Sequence, residues 1–238
     1  MKQPVHSIVR KAAIFAGILV CLNCSDCGVD PALIDTPSPR SFLFINGTNN
    51  LAQARAEVRA SGETIAIPGN VNFGEISAKR TVTRTNTPMT AHVIGVSSTW
   101  NGQSINSPVG AVNLIVSSSI PGANAVDWTS LVQRATPVLW ILRDRGAPMD
   151  VYVTAPGANL ATLQKDDTVT KLGVLEEMPL SALHANTAFQ VRLTAAGTKN
   201  VLVDFGTQPG IPEGHHGVFM QVHSGNTPNL RAFVIDAR

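Results

Sequence analysis

The stretch from Ala147 to Leu163, APMDVYVTAPGANLATL, decides the fold class because it joins a strand pattern to a turn signal. Met149 to Thr154 are residue types that favour a strand, and the Ala-Pro-Gly after them ends it. A fainter copy, AEVRASGETIAI, lies at Ala56 to Ile67, where Glu57 to Ala60 lead to Gly62. Two such units predict two related β-modules.

Further correspondences extend the repeat along the chain. Val58 corresponds to Val151, Phe73-Gly74 to Leu172-Gly173 and Val93 to Val191, at offsets of 93, 99 and 98 residues. Differences in loop length produce a drift of this size. Chance similarity between two sets of strands is the alternative, and we interpret the pattern as an internal duplication.

Composition favours strands over helices. Of the 238 residues, 44% are hydrophobic and only 14% are charged, which suits β-branched strands joined by small polar turns. Short strands separated by Gly- and Pro-bearing turns predict an all-β fold with two tandem immunoglobulin-like antiparallel β-sandwiches. The sequence does not alternate strands with long helices, which argues against an α/β nucleotide-binding fold.

The predicted organisation has five parts. They are a signal peptide (1–23), a Pro-rich linker (24–40), a first sandwich (41–122), a connector (123–136) and a second sandwich (137–238). The connector is the one place where a short helix is predicted, since Val126, Leu131 and Val132 can share a helix face.

The N-terminus predicts export to the cell envelope. Positive charges at Lys2, Arg10 and Lys11 precede the apolar run Ala12 to Leu22, the pattern of a secretory signal. Eleven apolar residues are too few to span a bilayer, although a buried N-terminal helix is an alternative. The part after the signal holds 15 basic and 16 acidic residues, a balance without the footprint of a nucleic-acid-binding protein.

All three cysteines, Cys21, Cys24 and Cys27, lie at the end of the signal. Their C-x-x-C-x-x-C spacing could bind a metal, but the cluster overlaps the signal and has no histidine nearby. Leu22-Asn23-Cys24 resembles the end of a bacterial lipobox, with Asn23 in place of the usual small residue. We therefore predict a lipid on Cys24, or on Cys21, that holds the protein to a membrane. Cleavage and release without a lipid is the alternative.

Two segments of the second module, DVYVTAPGANLAT (150–162) and FQVRLTAAGTKNVLVDFGT (189–207), resemble the bacterial family called domain of unknown function 4397. The match covers most of residues 137–207 and departs from the family at Glu176 to Pro179. The resemblance implies exported immunoglobulin-like sandwiches, often in tandem and often on lipoproteins. It implies no active site to carry over.

Residues with catalytic or metal-binding chemistry do not converge in the sequence. His215-His216 and His223 flank a predicted strand of roughly 20 Å, too long for one metal to bind both ends. The paired acids Asp166-Asp167 and Glu176-Glu177 lack calcium-loop spacing. Nucleophile-elbow, phosphate-loop and dinucleotide motifs are missing from the sequence. We therefore predict a protein that is not an enzyme and has no metal or cofactor.

A binding surface is predicted on two loops, Thr99 to Pro108 and Pro209 to Gly217, because sandwich loops cluster at the ends of the fold. The candidate residues there are Trp100, Asn101, His215 and His216. Trp100 is predicted to be exposed, whereas Trp140 in the run VLWIL is predicted to lie in the core.

These patterns predict a non-catalytic envelope protein that acts as a binding or spacer module, with an envelope protein or a glycan as partner. A carbohydrate-binding or adhesin-type surface protein and a structural subunit of an extracellular assembly are the alternatives.

Overall fold

The computed structural model describes residues 37–84, 87–179 and 186–238, and its regular structure is almost entirely β. The signal peptide, Cys21, Cys24 and the linker up to residue 36 lie outside the described residues. One 3-10 turn, Leu160–Thr162, accompanies seventeen strands in the described part. The strands are β1 Ser38–Gly47, β2 Gln53–Ala60, β3 Glu63–Ala66, β4 Val71–Asn72, β5 Arg80–Arg84, β6 Met89–Ile94, β7 Thr99–Ile105, β8 Val112–Ile120, β9 Ala123–Leu131, β10 Val138–Arg143, β11 Met149–Thr154, β12 Asp167–Val169, β13 Glu176–Pro179, β14 Phe189–Ala195, β15 Val201–Gln208, β16 His215–Ser224 and β17 Thr227–Asp236. The predicted all-β class is confirmed.

The strands form four sheets, and the second pair of sheets repeats the strand order of the first. Inner sheet 1 has the order β5-β1-β8-β9 and outer sheet 1 the order β3-β2-β6-β7, with β4 also paired to β2. Inner sheet 2 has the order β13-β10-β16-β17 and outer sheet 2 the order β12-β11-β14-β15. We call the first pair of sheets sandwich 1 and the second pair sandwich 2. The repeated order supports the predicted duplication.

Strand direction is repeated as well. In each sandwich one pair is parallel, β1 with β8 and β10 with β16, and the other described pairs are antiparallel. Val58 and Val151 lie in the equivalent strands β2 and β11, and Val93 and Val191 lie in β6 and β14. The sequence correspondences therefore identify strands with the same place in the fold.

The central strands of the two inner sheets are buried on both faces, because a shared apolar layer fills the space between the sheets. In β1, Phe42 and Phe44 pack toward outer sheet 1, whereas Leu43 and Ile45 pack in the shared layer. In β10, Trp140 and Leu142 pack in the same layer, whereas Leu139 and Ile141 pack toward outer sheet 2. A strand with two buried faces reads as a continuous apolar run, which explains FLFI and VLWIL.

Reciprocal hydrogen bonds join the two sandwiches at the rim of this layer. Ser118 Oγ in sandwich 1 donates to the Gly173 carbonyl at 3.3 Å, and Arg231 Nε in sandwich 2 donates to the Gly74 carbonyl at 3.0 Å. Gly74 and Gly173 both have positive φ angles, 78° and 72°, which favour glycine. Residues Pro37–Arg238 consequently form one compact unit.

The predicted connector helix at 123–136 is wrong. Residues Ala123–Leu131 are strand β9, which pairs with β8 across the tight turn Pro121-Gly122. The turn places Trp128 against Phe42 in the core of sandwich 1, with ring centroids 6.1 Å apart. Sandwich 1 therefore continues to Leu131, beyond its predicted end at residue 122. It also begins at Ser38, inside the predicted linker.

Candidate binding site

The prediction that Trp100 is exposed is wrong. Trp100 lies in β7 opposite the fully buried Val93 of β6, and its side chain is only 9% exposed. Residues opposite each other on paired strands point to the same face, so Trp100 points into the core of sandwich 1. Its neighbour Asn101 is exposed, and its Oδ1 atom lies 2.6 Å from Nδ1 of His92. A carbohydrate platform on Trp100 is therefore excluded.

His216 is also buried, although it belongs to one of the two loops predicted to form a binding surface. It lies near the start of β16, where the Trp140 indole N–H donates to Nδ1 at 3.3 Å. Nδ1 is therefore the acceptor, and Nε2 donates to the Val132 carbonyl at 2.9 Å. Burial lowers the pKa of His216, which favours this neutral form. The residue holds the β9–β10 connection against sandwich 2.

The predicted binding residues do not form one site. Trp100 and Asn101 belong to outer sheet 1, whereas His215 and His216 belong to inner sheet 2. His215 is half-buried, and its Nδ1 atom lies 3.1 Å from the Glu213 carbonyl. The Trp140 prediction is confirmed, since this side chain is 7% exposed and packs in the shared layer.

Potential metal ligands do not cluster in the described residues. No three His, Cys, Asp or Glu side chains there lie close enough together to hold a metal ion. His223 instead pairs with the buried Asp144, whose carboxylate accepts from the His223 backbone N–H at 2.7 Å.

A built polar site lies elsewhere, on the outer face of sandwich 2. Residues 155–166, between β11 and β12, include the 3-10 turn and cover this face; we call them the strap. Beneath and beside the strap, the outward-pointing Asp150, Tyr152 and Thr154 of β11 are all buried. In sandwich 1 the chain after β2 instead makes the tight turn Ser61-Gly62 into β3, and the outward-pointing residues of β2 remain largely solvated. The strap is thus a departure from the duplicated pattern.

Asp150 joins three parts of the site. Its Oδ1 atom accepts from Thr168 Oγ1 at 2.6 Å and from Lys165 Nζ at 2.9 Å. Its Oδ2 atom accepts from the Gly197 N–H of the β14–β15 turn at 2.7 Å. The Thr168 hydrogen bond, together with Lys165 and the Gly197 N–H, outweighs desolvation and lowers the pKa of Asp150 to about 2. The Gly197 bond ties the β14–β15 turn to strand β11.

Arg192 and Leu160 hold the strap against the sheet. Arg192 Nη2 donates to the Ala158 carbonyl and to Thr154 Oγ1, both at 2.8 Å. Leu160, in the 3-10 turn, is only 5% exposed. The strap is therefore anchored by a charged hydrogen bond and by an apolar contact surface.

Tyr152 and Lys199 complete the far side of the site. Lys199 Nζ donates to the Tyr152 hydroxyl at 3.0 Å, lies 4.4 Å from the centroid of its ring, and also donates to the Leu163 carbonyl of the strap. Tyr152 is the only tyrosine in the chain. Between these groups lies an open cleft of about 500 Å³, which we call the strap cleft. It is lined by Asp150, Tyr152, Ala161, Thr162, Leu163, Gln164, Lys165, Gly197, Thr198 and Lys199.

Sequence reasoning missed this site although it began from the stretch that forms it. In the sequence, Tyr152 belongs to a strand pattern, and Lys165 and Lys199 belong to no motif. The available signal was the difference between the two halves: a turn glycine two residues after Ala60, but a longer run without strand alternation after Thr154.

Two bacterial proteins are among the solved structures that show similarity to this chain. One is a candidate cell adhesion protein from Bacteroides ovatus, with 12% identity over 86% of this chain and 98% of that one, and a TM-score of 0.23. The other is a fimbrial assembly protein from Parabacteroides distasonis, with 7% identity over 84% and 99% of the two chains, and a TM-score of 0.21. TM-scores this far below 0.5 carry no weight for fold or function.

No protein-family model and no curated protein matches the chain. The resemblance of residues 137–207 to the domain of unknown function 4397 family stays a prediction. Among the residues that the structure describes, no helix is long and apolar enough to cross a membrane.

Proposed function

We propose that the chain is an exported, lipid-anchored protein of the cell envelope that acts as a non-catalytic binding module. The proposal rests on one observation, the strap cleft. This cleft lies on the outer face of sandwich 2, whereas the corresponding face of sandwich 1 is largely solvated. Loops set on a rigid β-scaffold are where binding residues concentrate. The shared apolar layer supplies the scaffold, because it joins both sandwiches into one compact unit.

The chemistry of the cleft favours binding over catalysis. Its lining residues include no histidine, cysteine or serine. Asp150, with a pKa of about 2, is a weak base at neutral pH and already accepts three hydrogen bonds. These groups serve to fix the geometry of the cleft.

The N-terminal pattern supports the anchor. Positive charges, an apolar run and Cys24 follow one another in the order of a bacterial lipoprotein signal. Intact mass of the full-length chain from a membrane fraction tests this. We expect a mature species that begins at Cys24 and carries acyl mass. Cys24→Ser should abolish that species, and Cys27→Ser is the matched control. A soluble, unacylated mature chain from the unaltered sequence would contradict the anchor.

The binding role is tested by sedimentation with isolated cell envelopes. We expect the purified protein to co-sediment, and we expect a variant with the strap replaced by residues 61–70 of sandwich 1 to stay in the supernatant. Circular dichroism establishes that the variant is folded. Equal sedimentation of the two folded proteins would show that the strap cleft is not the binding surface.

A structural subunit is a second candidate, favoured by strand β17. This strand is ten residues long and forms the end of inner sheet 2, with β16 as its paired neighbour. Val234 on it is 48% exposed. Free strand edges accept strands from other chains. Concentration-dependent assembly in analytical ultracentrifugation would support this role, and a monomer at high concentration would contradict it.

A further inference from the structure

We infer that the strap cleft binds carboxylate groups of an acidic polysaccharide. The inference rests on the proposed binding role and names its ligand class. The inference depends on the two lysine ammonium groups of the cleft. A lysine ammonium has three N–H donors. Within the described residues Lys165 uses two of them, on Asp150 and Thr168, and Lys199 uses two, on Tyr152 and Leu163. One donor remains on each, and both side chains line the same cleft.

The net charge of the cleft is positive. Its lining holds two ammonium groups and one carboxylate, and that carboxylate is already bonded on both oxygens. The acids that follow Lys165 in the chain do not line the cleft. Asp166 accepts from the Val153 N–H and Asp167 from the Thr168 N–H. An anionic group that enters the cleft therefore meets two charged donors at close range.

The remaining lining suits a sugar better than a peptide or a lipid. Thr162, Gln164 and Thr198 are exposed and offer neutral donors and acceptors for hydroxyl groups. The Tyr152 ring is buried beside Lys199, and the other apolar side chains of the lining are Ala161 and the half-buried Leu163, so the cleft has no large exposed apolar anchor of the kind that peptides and acyl chains use. A volume of about 500 Å³ lies within the range of small-ligand sites. A uronic-acid unit supplies both features, a carboxylate and several hydroxyls.

Calorimetric titration of the full-length chain in detergent tests the inference, with oligogalacturonate as the probe. The fully methyl-esterified oligosaccharide is the matched neutral probe, and polyglutamate is the matched acidic peptide. We expect binding of oligogalacturonate that weakens with salt, and at least tenfold weaker binding of the ester and of polyglutamate. The ring resonances of Tyr152 should shift on binding, which places the ligand in the cleft.

Variants separate the cleft from the general charge of the surface. We expect Lys199→Gln to weaken oligogalacturonate binding at least tenfold and Lys199→Arg to restore most of it. Lys171→Gln, outside the lining, should have no effect. Circular dichroism and the thermal midpoint show whether Lys199→Gln is folded, and an unfolded variant is replaced by Lys199→Met.

Two results would overturn the inference: equal binding of the acid and its ester, or unchanged binding by folded Lys199→Gln. If the protein does not bind oligogalacturonate but its sedimentation with envelopes still depends on the strap, the ligand class alone would be overturned. If the protein neither co-sediments with envelopes nor carries a lipid, the proposed function would be overturned.

Discussion

Replacing Leu142 with alanine tests whether the two sandwiches share one core. Leu142 is fully buried in the layer between the inner sheets. Its Cδ2 atom lies 3.6 Å from the position that a Cβ atom would take on Gly47 of sandwich 1. Because Gly47 has no side chain to move into the space, we expect a cavity that does not collapse. Leu→Ala changes that leave such a cavity cost about 3–5 kcal/mol.

Urea unfolding and hydrogen exchange measure the effect. For a unit of this size the loss corresponds to a thermal midpoint lower by roughly 6–20 °C. We expect exchange protection to fall together in β6 of sandwich 1 and β14 of sandwich 2, because one layer supports both. Val96→Ala is the control, since Val96 is 99% exposed and the change should cost under about 0.5 kcal/mol. A fall confined to β14, or a total cost below about 1 kcal/mol, would refute the shared core.

Three further predictions concern buried polar groups. Asn46→Ala should destabilise the fold by about 2–3 kcal/mol in urea unfolding, because the carbonyls of Leu51 and Val71 lose their buried donor; an unchanged midpoint would contradict this. Since the folded-state pKa of Asp150 is about 2, below its ordinary 3.8, its contribution is complete above pH 3.8 and is lost as pH falls through 2. The stability difference from Asp150→Asn should therefore narrow between pH 5 and 2, and a constant gap would count against the network. Burial keeps the pKa of His216 below its ordinary 6.5, so its stabilising effect is complete above pH 6.5 and is lost as pH falls through the folded-state value. The thermal midpoint should drop between pH 7 and 5 relative to His216→Gln, and parallel profiles would show that His216 is not responsible.

The sequence predicted the fold class and the duplication because strand patterns and turn residues are local signals. It did not predict that the sandwiches share a layer, since that depends on which face of each strand meets which sheet. The runs FLFI, NLIV and VLWIL carried this information. A strand with one solvated face alternates in polarity, and these runs do not alternate because both faces are buried.

Trp100 and the connector were misjudged for a related reason. Asn, Gly and Ser around Trp100 are typical of a loop, yet β7 pairs with β6 there and the pairing register turns the indole inward. In the connector, the spacing of Val126, Leu131 and Val132 suggested a helix. The hairpin turn at Pro121-Gly122 and the long ladder to β8 override that local preference.

The two halves show which features the fold requires and which it leaves free. At the end of the first strand of each sandwich lies a buried side chain that donates hydrogen bonds to two backbone carbonyls. The first carbonyl lies just before the second strand, and the other lies on a strand that pairs with the second strand. Asn46 does this for Leu51 and Val71, at 2.8 and 3.1 Å. Arg143 does it for Ala147 and Val169, at 2.6 and 3.2 Å. Leaving such carbonyls unpaired is costly, so the requirement is kept although the residue that meets it differs.

This difference explains why the repeat is faint in sequence and complete in topology. Both sandwiches must satisfy the same buried carbonyls, and more than one type of side chain can do so. The fold does not require the strap, because sandwich 1 completes its own outer sheet with a tight turn and β3. A segment that the fold does not require, and that still buries Asp150, Tyr152 and Arg192 in a fixed polar arrangement, supports the proposal that the cleft beside it is a binding site.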